Sequence, residues 1–297
     1  MFTRMSIPGS GSDIGCKRPG MVSGAGRRVY KEALMKGQIF VVLGGLMLAA
    51  TSVLAAVETV SLEKHFKGFT AGTFVLYDES AGAYTVFNEA QSHKRLTPCS
   101  TFKIYNSLAG LEAKVLDRED AKTLLKWDGI KRDRDAVNKD HTLASATKDS
   151  VVWYFQDLAS RIGVERMQLF LDKISYGNRD ISGGLTAFWL GSSLQISARE
   201  QVDVLHKLYS GQLPVLPEDI EVLKKNITLS EDRGVRFMGK TGSGFQDGKW
   251  VLGWFVGCVQ NQDKRYFFAT NIEAPQDANG LKAKEITISI LQDLKIL

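Results

Sequence analysis

Two short strings carry residue types that could do chemistry. Ser100-Thr101-Phe102-Lys103 sets a hydroxyl and an amine three residues apart. On a helix such a pair shares one face and is nearly stacked, so the amine reaches the hydroxyl. A serine alcohol is a weak nucleophile until a base takes its proton, which makes the pair a candidate nucleophile and base. Pro98 just upstream places the string at the opening of a helix, where free N–H groups and the helix dipole favour developing negative charge. Taken alone, S-x-x-K is also a common surface helix start.

The second string is GVRFMGKTGSG, from Gly234. Gly234, four residues, then Gly239, Lys240 and Thr241 satisfy the phosphate-loop pattern of nucleotide hydrolases. Such a loop needs small residues that let backbone N–H groups wrap phosphates, and a helix directly after the Lys-Thr. Here the central residues are Val235, Arg236, Phe237 and Met238, and Gly242-Ser243-Gly244 follow. Lys240-Thr241-Gly242 therefore reads as the end of a strand that presents a cation and a hydroxyl to some other anion.

The elements that must position these strings follow from periodicity. TAGTFVLYD and AYTVFNE are β-rich runs around a turn at Glu79-Ser80-Ala81-Gly82, a hairpin. From about Pro98 to Leu229 the pattern is helical: Phe102, Tyr105, Leu108 and Leu111 recur at helical spacing, and SVVWYFQDLASRIG and MQLFLDKI do likewise. Ser197 with Glu200 forms a capping box ahead of another helix. Sheet returns in KWVLGWFVGCVQ and RYFFATNIE around Asn261-Gln262-Asp263, and LKAKEITISILQDL closes the chain as a helix. The expected fold is α/β in the α+β sense: an antiparallel sheet built from both termini and flanked by helices, with a mostly helical insertion. Residues 57–97 and 230–297 would form the mixed subdomain and 98–229 the helical one, with a cleft between them.

The 297 residues are 44% hydrophobic and 24% charged, a globular composition. Seven Lys and Arg against Asp13 and Glu32 put the whole +5 excess in residues 1–56, leaving 31 basic and 31 acidic residues in a neutral body. That balance argues against nucleic-acid binding. From Met35, MKGQIFVVLGGLMLAATSVLAAV has a basic start, an apolar stretch, and Val53 and Ala55 as small residues before a cleavage point. Residues 35–56 read as a signal peptide cut near Ala55 or Ala56. A membrane anchor is the alternative, because the apolar run is near the lower limit for a span. Residues 1–34 read as a disordered extension or a misassigned start. A periplasmic or secreted body, residues 57–297, with no stable membrane insertion follows. Cys16 falls in the leader, so Cys99 and Cys258 remain, read as free thiols rather than a disulfide framework. His65, His93, His141 and His206 show no ligand spacing, and no metal is expected.

Together the motifs resemble a known family. Ser100-Thr101-Phe102-Lys103, Ser150-Val151-Val152, Tyr176-Gly177-Asn178, Phe188-Trp189-Leu190 and Lys240-Thr241-Gly242, in that order, are similar to the motif set of class D β-lactamases, across essentially all of residues 60–297. The resemblance implies the serine β-lactamase/penicillin-binding-protein fold and a small-molecule β-lactam substrate whose amide is opened through an acyl-enzyme on Ser100. It implies that Lys103 is the base, uncharged in apolar surroundings of Phe102, Val152, Trp189 and Leu190, and carboxylated by CO2 or bicarbonate to N6-carboxylysine, with the Trp189 indole steadying it. No other cofactor is implied. Ser150 would bridge Ser100 and Lys240 and relay a proton toward the leaving lactam nitrogen, with a helix N-cap as its alternative role. The backbone N–H groups of Ser100 and Ser243 would form the oxyanion hole, Lys240 and Thr241 would face the substrate carboxylate, and Gly242, Val152, Trp189 and Leu190 would also border the substrate. Tyr176-Gly177-Asn178 would be scaffold. The sequence departs from the family at the start of the last helix: Ala283, between Lys282 and Lys284, stands where many members have an arginine, and either lysine could substitute as a point charge. The competing readings are a penicillin-binding protein, which usually has Asn where Val152 stands, and a β-lactam-sensing domain that stays acylated. Sensors carry several membrane spans and a protease domain, against one apolar segment here. The chain would be a monomer or a homodimer.

Overall fold

In the computed structural model, residues 56–297 are described; residues 1–55, which hold Cys16 and all of the leader except Ala56, lie outside them. The chain lays down β1 (Ala56–Thr59), β2 (Ala71–Asp78) and β3 (Ala83–Phe87). It continues through helices α1 (Glu89–His93), α2 (Lys103–Glu112), α3 (Leu143–Lys148), α4 (Val152–Ile162), α5 (Val164–Ile174), α6 (Ala198–Tyr209) and α7 (Pro217–Ile227). It then returns as β4 (Thr228–Asp232), β5 (Val235–Gln246), β6 (Lys249–Asn261) and β7 (Lys264–Glu273), and ends in α8 (Gly280–Asp293).

The strands form one sheet in the order β1-β3-β2-β7-β6-β5-β4, so both termini contribute, as the periodicity required. Neighbours are antiparallel except β1, which joins β3 in parallel and makes the sheet mixed. Residues 60–70 carry the chain from that exposed edge strand across to β2, a crossover that no local pattern announces. Both expected hairpins form. Asp78 accepts the Ser80 and Ala81 N–H groups in the first. Gln262 takes a left-handed φ of 53° in the second.

Two apolar cores lie on opposite faces of the sheet. Helices α2, α4, α5, α6 and α7 close the first, and α8 with the β1–β2 connection closes the second. In β6, Trp254, Val256 and Cys258 enter the first while Phe255 and Val259 enter the second. A strand covered on both faces needs an almost unbroken apolar run, as this one has. Helix α2 is buried from Lys103 through Leu111, so its expected amphipathic stripe is a fully enclosed cylinder. The Ser197–Glu200 capping box opens α6 as expected, and Thr142–Ser145 forms a second at α3. Cys99 and Cys258 are free and buried.

Candidate active site

The nucleophile and base lie where local geometry is tightest. Cys99–Phe102 form a 3-10 turn and α2 begins only at Lys103, so Ser100 precedes the helix proper. In a 3-10 turn residues i and i+3 eclipse, which brings the pair closer than the expected α-helical stacking. The Lys103 Nζ donates to Ser100 Oγ at 2.7 Å. Lys103 has no exposed surface, and its amine lies 5.5 Å from the Phe155 ring. Burial, and then the positive charge of Lys240, hold this amine well below the usual lysine range. The Cys99 thiol beside it is pushed up to about 12 by burial and is inert.

Lys240 is not at a strand end. It sits in the middle of β5, which runs on through Thr241, Gly242 and Ser243 to Gln246. The glycines that read as strand breakers are instead points of close approach. β4 pairs only with Val235–Met238, so beyond that the outer edge of β5 is open, and the nucleophile turn packs on the face to which Gly242 and Gly244 turn. A Cβ on Gly242 would lie 2.9 Å from the Pro98 carbonyl oxygen and 3.2 Å from the Thr101 nitrogen, so only glycine lets the strand come this near.

From β5 the Lys240 Nζ donates to Ser150 Oγ and to its neighbour's carbonyl, Thr241 O, each at 3.0 Å. Burial, then the Arg134 charge, lower its pKa to about 7. Ser150 has a left-handed φ of 53°, and the N-cap position of α4 is Val151, with no side-chain cap bond. Capping is therefore not the role of Ser150, and its hydroxyl receives the Lys240 amine. Ser243 Oγ accepts the Gly280 N–H at 2.9 Å, tying the start of α8 to the strand.

Trp189 is fully buried, and its Nε1–H has no hydrogen-bond partner. Its backbone is fixed by Thr97, which donates to Trp189 O and accepts from Gly191 N. Phe102 packs on this indole at 5.7 Å between ring centres. Val152 does not enclose the amine: it is 37% exposed and lines the cavity mouth, while Val151 takes the buried place. The first turn of α4 fixes that phase, and Phe155, one turn on from Val152, supplies the apolar contact that sequence reading missed. Leu190 lines the cavity. Tyr176-Gly177-Asn178 is scaffold: Asn178 bonds Ser193 O and Gln195 N, and a Cβ on Gly177 would collide with Gln195 O.

Known proteins are similar to this chain in sequence and fold. Residues 72–292 match the family described as the penicillin binding protein transpeptidase domain. A probable β-lactamase of Bacillus subtilis, YbxI, is 41% identical over 270 residues, covering 87% of this chain and 97% of that protein. The solved class D β-lactamase BAT-2 superposes with a TM-score of 0.75 at 39% identity, covering 80% of this chain and 97% of its own. The chain belongs to the class D β-lactamases. The family also borders on receptors: the C-terminal domain of the Bacillus licheniformis BlaR penicillin-receptor superposes with a TM-score of 0.78 at 36% identity, covering 82% and 98% of the two chains.

Among its described residues the β-lactamase presents a cavity of about 1080 Å³ along β5. Ser100, Ser150, Thr241, Gly242 and Ser243 all line it, so the structure gathers the sequence-predicted residues around one space, with Lys103 and Lys240 just behind the wall. Neither Lys282 nor Lys284 lines it. That place on α8 is taken by the exposed Leu281, while Ala283 is buried in the second core. Neither lysine supplies the missing arginine's charge. At the β5–β6 turn Phe245 and Trp250 form an exposed aromatic pair, 4.7 Å between ring centres. Arg134, which lay unremarked in the charged run KRDRD, also lines the cavity. Such a run reads as solvated surface, and no local signal separates this residue from its neighbours.

Proposed function

We propose that this enzyme opens the β-lactam amide through an acyl-enzyme on Ser100, with Lys103, carboxylated by CO2, as the base for acylation and deacylation. The observation that carries the reading is the buried pair itself: an amine with no exposed surface, 2.7 Å from the nucleophile's oxygen. Carboxylation needs an uncharged amine, and burial supplies one. The site also fits the modified side chain, because the unpartnered Trp189 Nε1–H is a buried donor awaiting an acceptor. Carboxylated, Lys103 would supply a carboxylate-type base in an apolar enclosure. Ser150, held by Lys240, is placed to pass a proton toward the leaving lactam nitrogen. The backbone N–H groups of Ser100 and Ser243 are the candidate oxyanion donors, a role in which one donor contributes about 3 kcal/mol.

The test is nitrocefin turnover by residues 57–297 with and without bicarbonate, alongside a 13C spectrum recorded in labelled bicarbonate. Ser100→Ala and Lys103→Ala should each abolish turnover. The carbamate resonance should be present in the unaltered protein and absent in Lys103→Ala. Trp189→Ala should deacylate slowly and respond more strongly to bicarbonate. Undiminished turnover by Lys103→Ala would remove the base. The likeness to the BlaR receptor favours a second reading, a domain that stays acylated, and stable acyl-protein without turnover would decide for it.

A further inference from the structure

A β-lactam carries a carboxylate beside its lactam nitrogen, and the cavity must offer that anion a cation. Lys240 serves poorly. It is 5% exposed, lies behind the cavity wall, and spends its protons on Ser150 Oγ and Thr241 O. With a pKa lowered to about 7 it is charged only part of the time near neutral pH. Lys282 and Lys284 do not reach the cavity.

Among the described residues Arg134 is the only basic side chain on the cavity wall. Its Nη2 donates to Asp149 O at 2.8 Å and to Ser150 O at 3.5 Å, and no other hydrogen bond is made from its guanidinium. Its Nε and Nη1 donors remain unspent. Most other described arginines pair with carboxylates, as Arg95 does with Glu200, Arg132 with Asp128 and Arg265 with Glu79, whereas Arg166 holds only the Ala113 and Arg161 carbonyls and lies away from the cavity. Arg134 has no carboxylate within ion-pair distance among the described residues. Its surroundings are instead cationic, since its charge disfavours protonation of both Lys103 and Lys240. The acid on the cavity wall, Glu273, is already paired with Lys94, so the positive charge of Arg134 is relieved when an anion arrives.

We propose that Arg134 binds the carboxylate of the β-lactam, taking from the opposite wall the role for which α8 here offers only Leu281 and a buried Ala283. The inference rests on the β-lactam reading above and extends it to substrate recognition. The two carbonyls held by Nη2 orient the guanidinium, and Nε and Nη1, on its opposite edges, each remain free to give a carboxylate one charge-assisted hydrogen bond.

The experiment compares benzylpenicillin with its methyl ester on the unaltered enzyme and on Arg134→Ala and Arg134→Lys. Acylation of Ser100 is read by mass increase at early times, with steady-state kcat and KM alongside. Because acylation is read before deacylation, a protein that stayed acylated, which would sink the turnover reading, would still report on Arg134. For the free acid, Arg134→Ala should lower the acylation rate constant per unit concentration about 10- to 100-fold, mostly through KM, as loss of a charge-assisted hydrogen bond does. For the ester, with bicarbonate saturating, the change should stay within about 3-fold, and Arg134→Lys should recover part of the preference for the acid. Equal losses on acid and ester would mean that Arg134 merely holds Ser150 through its carbonyl. That result, or no loss on either substrate, overturns the proposal.

Discussion

Gly242→Ala tests whether the spacing between β5 and the nucleophile turn is set by the absence of one methyl group. The added Cβ would stand 2.9 Å from Pro98 O, 3.1 Å from Thr101 Cγ2 and 3.2 Å from Thr101 N. Ordinary non-bonded contact begins near 3.5 Å, so the two segments must separate by about half an ångström. The turn cannot yield cheaply, because Pro98 O already accepts the Thr101 N–H at 3.2 Å and its hydroxyl at 2.7 Å. The strand must therefore retreat, carrying Lys240 and Ser243 away from Ser100. A misplacement of ~1 Å costs up to ~100-fold in rate, so kcat/KM should fall ~10- to 100-fold, or ~1.4 to 2.7 kcal/mol of transition-state stabilisation. The assay is nitrocefin kcat/KM well below the melting temperature, with the folded fraction measured by circular dichroism. Gly239→Ala is the control: its Cβ would meet the Phe255 ring at 2.6 Å, on the side of the second core. It should lose stability while the folded fraction keeps most of its activity. If Gly242→Ala retained kcat/KM within twofold, the close approach would not be what assembles the site.

The same burial has two consequences for stability. Lys240 ionises near 7 when folded against 10.5 as the reference, so across that window the unfolded chain holds more protons and stability rises with pH. Cys99 and Cys258, pushed up to about 12 from 9, act with the opposite sign above pH 9, as do the buried tyrosines above 10. Thermal melts should therefore show a maximum near pH 9, and Lys240→Met should flatten the rise from pH 7; a melting temperature that declined steadily from pH 7 to 9 would contradict the depressed amine. Lys103→Met keeps the length of the side chain and removes the buried amine, so it should abolish turnover and raise the melting temperature by ~2 to 4 °C, about 1 kcal/mol for a body of this size. A lower melting temperature would show that the amine contributes net stability.

Much of the site was legible because its first pair is local. Ser100 and Lys103 are three residues apart, and any helical turn makes them neighbours. Lys240 was legible as a residue type but not in its place: Gly242-Ser243-Gly244 has the composition of a turn, and only the approach of Pro98 and Cys99 to Gly242 and Gly244 shows why a strand carries those glycines. Val152 was placed in the enclosure when Val151 is the buried one, a phase that depends on where α4 starts. The parallel edge strand β1 and the cavity face of Arg134 depend on contacts distant in sequence, which neither period nor composition encodes.

The charges of the site form a single argument. Burial and the Lys240 charge disfavour the charged form of Lys103, Lys240 is partly charged, Arg134 brings a guanidinium to the cavity wall, and the acid on that wall, Glu273, is paired with Lys94. On the reading proposed above, two negative charges enter this space: a carboxyl group on Lys103 and the carboxylate of the substrate. The first turns a side chain that the neighbouring cations repel into one that they attract, so Lys240 and Arg134 should favour carboxylation as well as binding. The modified base and substrate then share the field of the same two cations, and loss of either cation should weaken both. Bicarbonate dependence should consequently rise in Arg134→Ala, although Arg134 has no bond to Lys103. An unchanged bicarbonate requirement in that variant, measured with the methyl ester so that substrate charge is absent, would separate the two effects and refute the shared field.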